Sequence, residues 1–379
     1  MDKLDALVKS RFIEMFGHNQ YDEKPLGELF KTSSGGTPLK GKREYYDGGN
    51  IPWLTSGEVN KEHITEAKSM ITELALLETS AKIPPLRSVL VSMYGSIGYA
   101  GILEFEAAIN QAICAIHPNS NYTSEWVCHY IRSKKELLVN QGAGAALTNI
   151  SQEKIRKLMV PVVPLSDQEK FTNFVKQVDK SKFIAKQCLE KYDQLVKSRF
   201  IEMFGDVISN RKQWPTMSII EAAPITQNNN SSSKESNWLL NLDAIESSTG
   251  KIFFKNYVTS EELNGSICSF TDNHVLYSKL RPYLNKVVIP DESGYGTTEL
   301  LTLLPKPDLI NQQYLATALM SDAFVAKISA AVAGTKMPRV SMSTFKKFQL
   351  PIPPINLQEK FDLFVKQVDK SKFSPGNRS

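Results

Sequence analysis

The segment LVKSRFIEMFG occurs twice, letter for letter, at 7–17 and at 195–205. A second pair lies elsewhere: PVVPLSDQEKFTNFVKQVDKSKF at 161–183 matches PIPPINLQEKFDLFVKQVDKSKF at 351–373. Upstream of each, GAALTNISQEKIRKLMVP (144–161) aligns with GTKMPRVSMSTFKKFQLP (334–351). The first pair is offset by 188 positions and the others by 190, so a single duplication accounts for all of them. The order of the pieces is the strongest constraint on the fold. In the middle of the chain the QEKF segment runs through IAKQCLEKYDQ into LVKSRFIEMFG without a break. At the ends it is split, its first half closing the chain (356–373) and its second half opening it (4–16). The chain therefore reads as a circularly permuted repeat: two half-units in a ring, cut inside one of two long linkers.

The intact linker predicts a helix over 166–204. Ser166 follows Pro164 and precedes Asp167 and Glu169, the pattern of an N-cap with a capping-box glutamate. Apolar residues recur at helical spacing through Phe171, Phe174, Val175, Val178, Ala185, Cys188, Leu189, Tyr192, Leu195, Val196 and Met203, interrupted around Ser181–Lys182. Gly205 suits the stop. Such a helix spans roughly 58 Å at 1.5 Å per residue, and a lone helix with one apolar stripe needs a partner. The split copy supplies one: Phe361, Phe364 and Val368 repeat the stripe of Phe171, Phe174 and Val178, and the terminal segments are expected to lie antiparallel to the central helix together with Leu189, Tyr192 and Leu195. The competing expectation is a helix buried in an ordinary core. Lys176, Lys180 and Lys182 recur as Lys366, Lys370 and Lys372, which marks them as a solvated or partner-facing side.

Between the helices lie two blocks, 18–160 and 206–350, rich in Gly, Pro, Ser, Thr and Asn. Each carries short β-like runs (SVLVSMYG at 88–95, AICAIHP at 112–118, KIFFKNYV at 251–258, NKVVIP at 285–290, ELLTLLP at 299–305) and helical patterns at 124–138 and 311–329. That is an α+β domain, twice. The expected divisions are a terminal helix at 1–17, the domains at 18–160 and 206–350, a central spacer helix at 161–205, a closing helix at 351–373 and a disordered tail at 374–379. Outside the boundary motifs the blocks share little sequence, so the scaffold is repeated while the surfaces have diverged.

Composition narrows the function. The net charge of +5 is spread thinly: 18–160 is neutral and 206–350 carries one net positive charge, so any DNA-binding charge must be local. Four scattered cysteines with no CxxC suit a reducing cytoplasm and argue against a zinc site. No apolar run is long enough to span a membrane, and the opening residues lack a secretory core. GTPLKGKR (36–43) meets the phosphate-loop pattern except at its last position, where Arg43 replaces the magnesium-binding hydroxyl, and the following EYYDGGNIPW is no helix former. With no other catalytic or metal motif, a binding component is expected rather than an enzyme.

The combination of two diverged domains with QEKF and SRFIEMFG boundaries resembles the specificity subunit of type I restriction-modification systems. GGTP, GGNIPWLTSGEV (48–59), ITEAKSMIT (64–72), SAKIPPLRSVLVSMYGSIGYAGI (80–102) and AINQAICAI (108–116) are similar to one type of target-recognition domain in that family. VLYSKLRPYLNKVV (275–288) and AGTKMPRVSMSTFKKFQLPIPP (333–354) resemble another. The resemblance covers essentially the whole chain. It implies two globular α/β target-recognition domains separated by long antiparallel, coiled-coil-like helices in pseudo-twofold arrangement, each domain reading half of a bipartite site in double-stranded DNA. It further implies that the helices dock two modification subunits, which bind S-adenosylmethionine and methylate adenine. Up to two motor-nuclease subunits, using ATP and magnesium, join where the complex also restricts. The chain itself is then non-catalytic, with no cofactor or metal of its own. A helical scaffold with two protein- or ligand-binding domains is the alternative.

Base edges and phosphates are met by cations, hydroxyls and amides on loops. In the first domain the candidates are Ser34, Gly35, Gly36, Thr37, Lys40, Lys42, Arg43 and Tyr45, then Tyr94 and Ser96. A solvated turn and, for Tyr94, core packing are the alternatives. In the second domain YSKLRPY alternates Ser278 with Lys279, Arg281 and Tyr283, which would share one face of a strand, while Lys336 and Arg339 lie on a loop. Surface charge without a ligand is again the alternative. Trp53 and Trp238 read as core aromatics.

Overall fold

The structure is a computed structural model that describes residues 2–17, 21–142, 149–226, 236–263, 267–330, 332–333 and 338–373. The predicted tail at 374–379 lies outside the described residues. The chain divides into two compact units, 1–185 and 186–379. Each holds one mixed α/β domain and one antiparallel pair of helical segments.

Three long helices carry the repeat: Asp2–Phe16, Leu165–Phe204 and Ile355–Phe373. The central one is continuous for 40 residues and runs through the boundary between the units. The helix continues as expected through Ser181, where the apolar spacing lapses, and the Ser181 hydroxyl donates to the Gln177 carbonyl at 2.9 Å. Ser166 is no N-cap. The helix begins at Leu165, and the amides of Asp167 and Gln168 donate to the Pro164 carbonyl. The far end stops as expected, with Gly205 left-handed at φ +81°.

In the first unit Phe12 and Phe16 of the N-terminal helix pack on Phe171, with ring centroids 5.2 and 5.7 Å apart, and on Trp126 of the domain at 5.9 and 5.6 Å. In the second unit Phe200 and Phe204 pack on Phe361, both at 5.5 Å, and on Tyr314 at 5.4 and 4.8 Å. The ion pairs Lys182–Asp5 (2.7 Å) and Lys372–Asp193 (2.9 Å) hold the opposite ends of the two pairs. Numbering falls on one helix as it rises on the other, so both pairs are antiparallel. Ion pairs of this kind contribute about 1 kcal/mol or less, whereas each buried aromatic ring contributes roughly 1.5–3 kcal/mol. The rings hold the helices together and the lysines set the register.

Phe171, Val178, Phe361 and Val368 are buried, and Phe174 and Phe364 lie half-buried beneath the Arg11 and Arg199 guanidinium groups. Tyr192 is half-buried. Leu189 and Leu195 depart from the expected packing, being 38% and 47% exposed. Val196 turns inward instead, as Val8 does in the other copy. The apolar stripe is wider than the face the partner helix covers. Lys182 and Lys372 face the partner helix, bridging to Asp5 and Asp193.

The first domain centres on a five-stranded sheet in the order Thr32–Ser34, Ile113–Ile116, Val89–Ser92, Ala100–Leu103, His63–Ile64. A three-stranded sheet places Ile51–Leu54 between Ser69–Ile71 and Ala108–Ile109. The second domain has Val275–Ser278 between Val287–Val288 and Leu300–Leu303, and a four-stranded sheet ordered Asn256–Val258, Asn237–Leu240, Gly294–Thr297, Ile267–Phe270. Against each central hairpin lies a helix at corresponding positions, Ser124–Ser133 and Gln312–Met320, capped by the Thr123 hydroxyl and the Asn311 amide oxygen. The KIFFKNYV run forms a strand only at Asn256–Val258, leaving Phe253 and Phe254 exposed.

Candidate DNA-recognition loops

The glycine-rich loop of the first domain serves packing. A Cβ on Gly35 would stand 1.7 Å from the Ile109 carbonyl oxygen, and one on Gly36 2.5 Å from Ser80 Oγ. These glycines admit the close approach of the domain's own backbone. Ser34 ends an edge strand, and the Thr37 hydroxyl donates to Gln111 Oε1. Lys42 is occupied as well: its ammonium is 2.7 Å from Glu78 Oε2 and 4.2 Å from the centre of the Tyr45 ring. The Tyr45 hydroxyl donates to the same carboxylate at 2.9 Å, and its ring is buried. The hydrogen bonds that Lys42 donates to Glu78 and Tyr45 raise its pKa, so this closed cluster tightens the loop and offers no free charge. Lys40 and Arg43 remain exposed and make no ion pair among the described residues. The helical turn at Arg43–Tyr45 is three residues long, which removes the phosphate-cradling helix that a nucleotide loop requires.

The second group of candidates sits on a turn built the same way in both domains. After Val89–Ser92, the buried Ser92 hydroxyl donates to the Tyr94 carbonyl at 3.2 Å, and the Ile150 amide donates to the Met93 carbonyl at 3.0 Å. After Val275–Ser278, the buried Ser278 hydroxyl donates to the Leu280 carbonyl at 3.1 Å, and the Val340 amide to the Lys279 carbonyl at 2.9 Å. Isolated bridges Tyr94–Asn149 and Leu280–Arg339 complete the match. Ser278 is thus part of the turn's frame and is not available to a ligand. Ser96 is half-buried, with its amide donating to the Tyr94 carbonyl, and Tyr94 is 39% exposed.

The expectation that Lys279, Arg281 and Tyr283 share a strand face fails, because the strand ends at Ser278. Arg281 is left-handed at φ +50°, and Pro282–Leu284 form a single turn of 3₁₀ helix. Arg281 and Tyr283 are exposed; Lys279 is half-buried. Arg339 is engaged by Glu299, with Nη2 2.8 Å from Oε1 and Nε 3.2 Å from both oxygens, an arrangement that holds the Glu299 carboxyl below the usual range. Lys336 lies outside the described residues. Trp53 and Trp238 are core aromatics, and Trp53 Nε1 donates to the Gly36 carbonyl at 3.3 Å.

Two polar features went unnoticed in the sequence. Gln168 and Gln358, the first letters of the two QEKF motifs, are fully buried clamps. Gln168 accepts the Thr123 amide at 2.9 Å and donates to the Asn121 and Val163 carbonyls, both at 2.9 Å. Gln358 accepts the Asn311 amide at 3.0 Å and donates to the Leu309 and Pro353 carbonyls at 2.9 and 2.7 Å. Glu62 lies 3.4 Å from His129 Nε2, an ion pair without aligned hydrogen-bond geometry, and 3.3 Å from Arg132 Nη1. His129 first, and then Arg132, hold its carboxyl down at about 2 against the opposing effect of burial. Burial pushes the Cys114 and Cys128 thiols up to about 12. Among the described residues no cluster of three or more His, Cys, Asp or Glu could hold a metal ion, and no helix is long and apolar enough to cross a membrane.

Residues 19–192 and 206–374 each match the family model described as type I restriction modification DNA specificity domain. The chain is 22% identical to the type I restriction enzyme MjaIX specificity subunit of Methanocaldococcus jannaschii over 91% of its own length and 86% of that protein's. It is 26% identical to the EcoR124I/EcoR124II specificity subunit of Escherichia coli over 170 residues, covering 43% of this chain and 42% of that one. A solved structure described as the structural basis of complex assembly and conformational transition of the type I R-M system has the same fold at a TM-score of 0.57 and 13% identity. That alignment covers 94% of this chain and 91% of the other.

Proposed function

The chain belongs to the type I restriction-modification DNA specificity family, and on that premise we propose that each domain reads one half of a bipartite, asymmetric DNA site. The central helix and its two partners then set the number of unread base pairs and dock two modification subunits. S-adenosylmethionine is bound by those subunits, ATP and magnesium by motor-nuclease subunits where these join, and the chain works in the cytoplasm without a cofactor or catalytic group of its own. The observation that carries this is the repetition of one frame with diverged exposed loops. The clamp, aromatic cluster and hairpin turn recur in both units, while the exposed loop residues differ: Lys40, Arg43 and Tyr94 in the first domain, Arg281 and Tyr283 in the second.

A methylome of cells carrying the chain with the modification subunit of its own system tests it. A split motif is expected, and replacing 18–160 with the corresponding domain of a relative should change one half only. A continuous motif, or none, refutes it. The alternative of a protein-binding scaffold predicts duplex binding that is weak and nearly insensitive to salt, whereas phosphate contacts give a steep fall with ionic strength.

A further inference from the structure

The hairpin turn demands a left-handed residue immediately after Tyr94 or Leu280. The first domain supplies Gly95 at φ +72°, with open space where a Cβ would stand. The second supplies Arg281 at φ +50° and ψ 63°. A residue with a Cβ is disfavoured in that conformation, and the proline that follows at 282 restricts Arg281 further. Glycine fits the same frame without strain, as the first domain demonstrates. A strained side chain kept where glycine would serve points to a use for that side chain.

Two further observations say what the use is. The turn is rigid: the Arg281 amide donates to the Pro338 carbonyl at 2.8 Å, and its own carbonyl accepts the Leu284 amide at 2.9 Å. A second left-handed residue, Asn285, closes the turn, with Nδ2 donating to the Met320 carbonyl at 2.9 Å. The Arg281 guanidinium, in contrast, is exposed and makes no hydrogen bond or ion pair among the described residues. Arg87 is also left-handed, but its guanidinium is taken up by Glu104 and Glu125, both at 2.5 Å. Arg339, bridged to the same turn, is held by Glu299. Arg281 is a fork of donors on a hydrogen-bonded backbone, unpaired among the described residues, and Tyr283 stands exposed two residues on.

We propose that Arg281 is a specificity-determining residue of the second domain, donating two N–H groups to N7 and O6 of one guanine in the major groove. Resting on the DNA-reading function above, this confines the contact to one half of the bipartite site, because Gly95 offers no side chain at the corresponding place in the other domain.

The test compares methylomes of cells expressing the wild-type chain, Arg281→Gly and Arg281→Lys, each with the modification subunit, alongside melting of the purified chains. Arg281→Gly should melt at or above the wild-type midpoint, since it removes the left-handed strain. One guanine in one half-site should become degenerate, the true site should bind roughly 10- to 100-fold more weakly, and the other half should be unchanged. Arg281→Lys keeps the charge without the two-pronged geometry and should not restore the guanine. An unchanged motif in Arg281→Gly overturns the proposal, as does loss of affinity with base preference intact, which marks a phosphate contact. A lowered melting midpoint for Arg281→Gly assigns Arg281 a structural role and likewise overturns it. A wild-type chain that yields no split motif refutes the DNA-reading function instead, so the two failures are told apart.

Discussion

Gln168 and Gln358 show how much one buried amide can do. Each closes a helix start onto the loop of its own domain with three hydrogen bonds, using the acceptor once and the donor twice. Removing such a group strands the buried Val163 carbonyl, at about 1–3 kcal/mol, and releases the part-buried Thr123 amide and Asn121 carbonyl. Gln168→Leu should therefore lower the unfolding free energy by about 1–3 kcal/mol, read from the chemical-denaturation midpoint, and Gln358→Leu should do the same in the second unit. A loss under about 1 kcal/mol would contradict the clamp. Glu62 makes a pH-dependent contribution. Its carboxyl is depressed from 4.5 to about 2, so its contribution is fully present above about pH 4.5 and is lost as pH falls toward 2. Glu62→Gln should flatten the acid limb of a pH–stability curve in that window. Neither role was legible in the sequence: a glutamine and a glutamate near element ends read as solvated residues until the chain brings distant carbonyls, His129 and Arg132 to them.

The helices were legible because their signal is periodic and doubled. LVKSRFIEMFG and QEKF each occur twice, and in the structure the two motifs meet twice, Phe12 packing on Phe171 and Phe200 on Phe361. What periodicity could not settle is which apolar residues a partner covers. Phe183, Ile184, Leu189 and Leu195 are left uncovered, at 61%, 49%, 38% and 47% exposed. Side chains that make no buried contact contribute little to folding, within about 0.5 kcal/mol on substitution. Paired with the proposed docking of modification subunits, this gives a clear expectation. The double substitution Phe183→Ser and Ile184→Ser should leave the melting midpoint of the isolated chain within error and reduce co-purification of the modification subunit several-fold. Equal co-purification would remove this surface from the docking site.

At the scale of the whole chain, the helices and their boundary motifs repeat nearly unchanged, while the two domains, exposed loops included, have diverged in sequence. That is why the architecture could be read from offsets while the reading residues could not. Lys42 and Arg339 look like free cations in the sequence and are paired across 36 and 40 residues by Glu78 and Glu299. Arg281 looks like one cation in a strand and is a left-handed turn residue. The central helix carries the remaining prediction. Residues 183–190 are exposed throughout. The N-terminal helix packs on the segment before this stretch and the closing helix on the segment after it. Seven residues inserted after Lys186 add two turns, about 10.5 Å of helix, with only about 20° of rotational drift. Both aromatic clusters should survive intact, so the variant should melt like the wild type. If the helix sets the unread gap, the methylated motif should keep both half-sites and lengthen the gap between them by up to about three base pairs, given a rise of roughly 3.4 Å per pair. The same half-sites at an unchanged gap, from a folded variant, would show that the spacing is set elsewhere than along Leu165–Phe204.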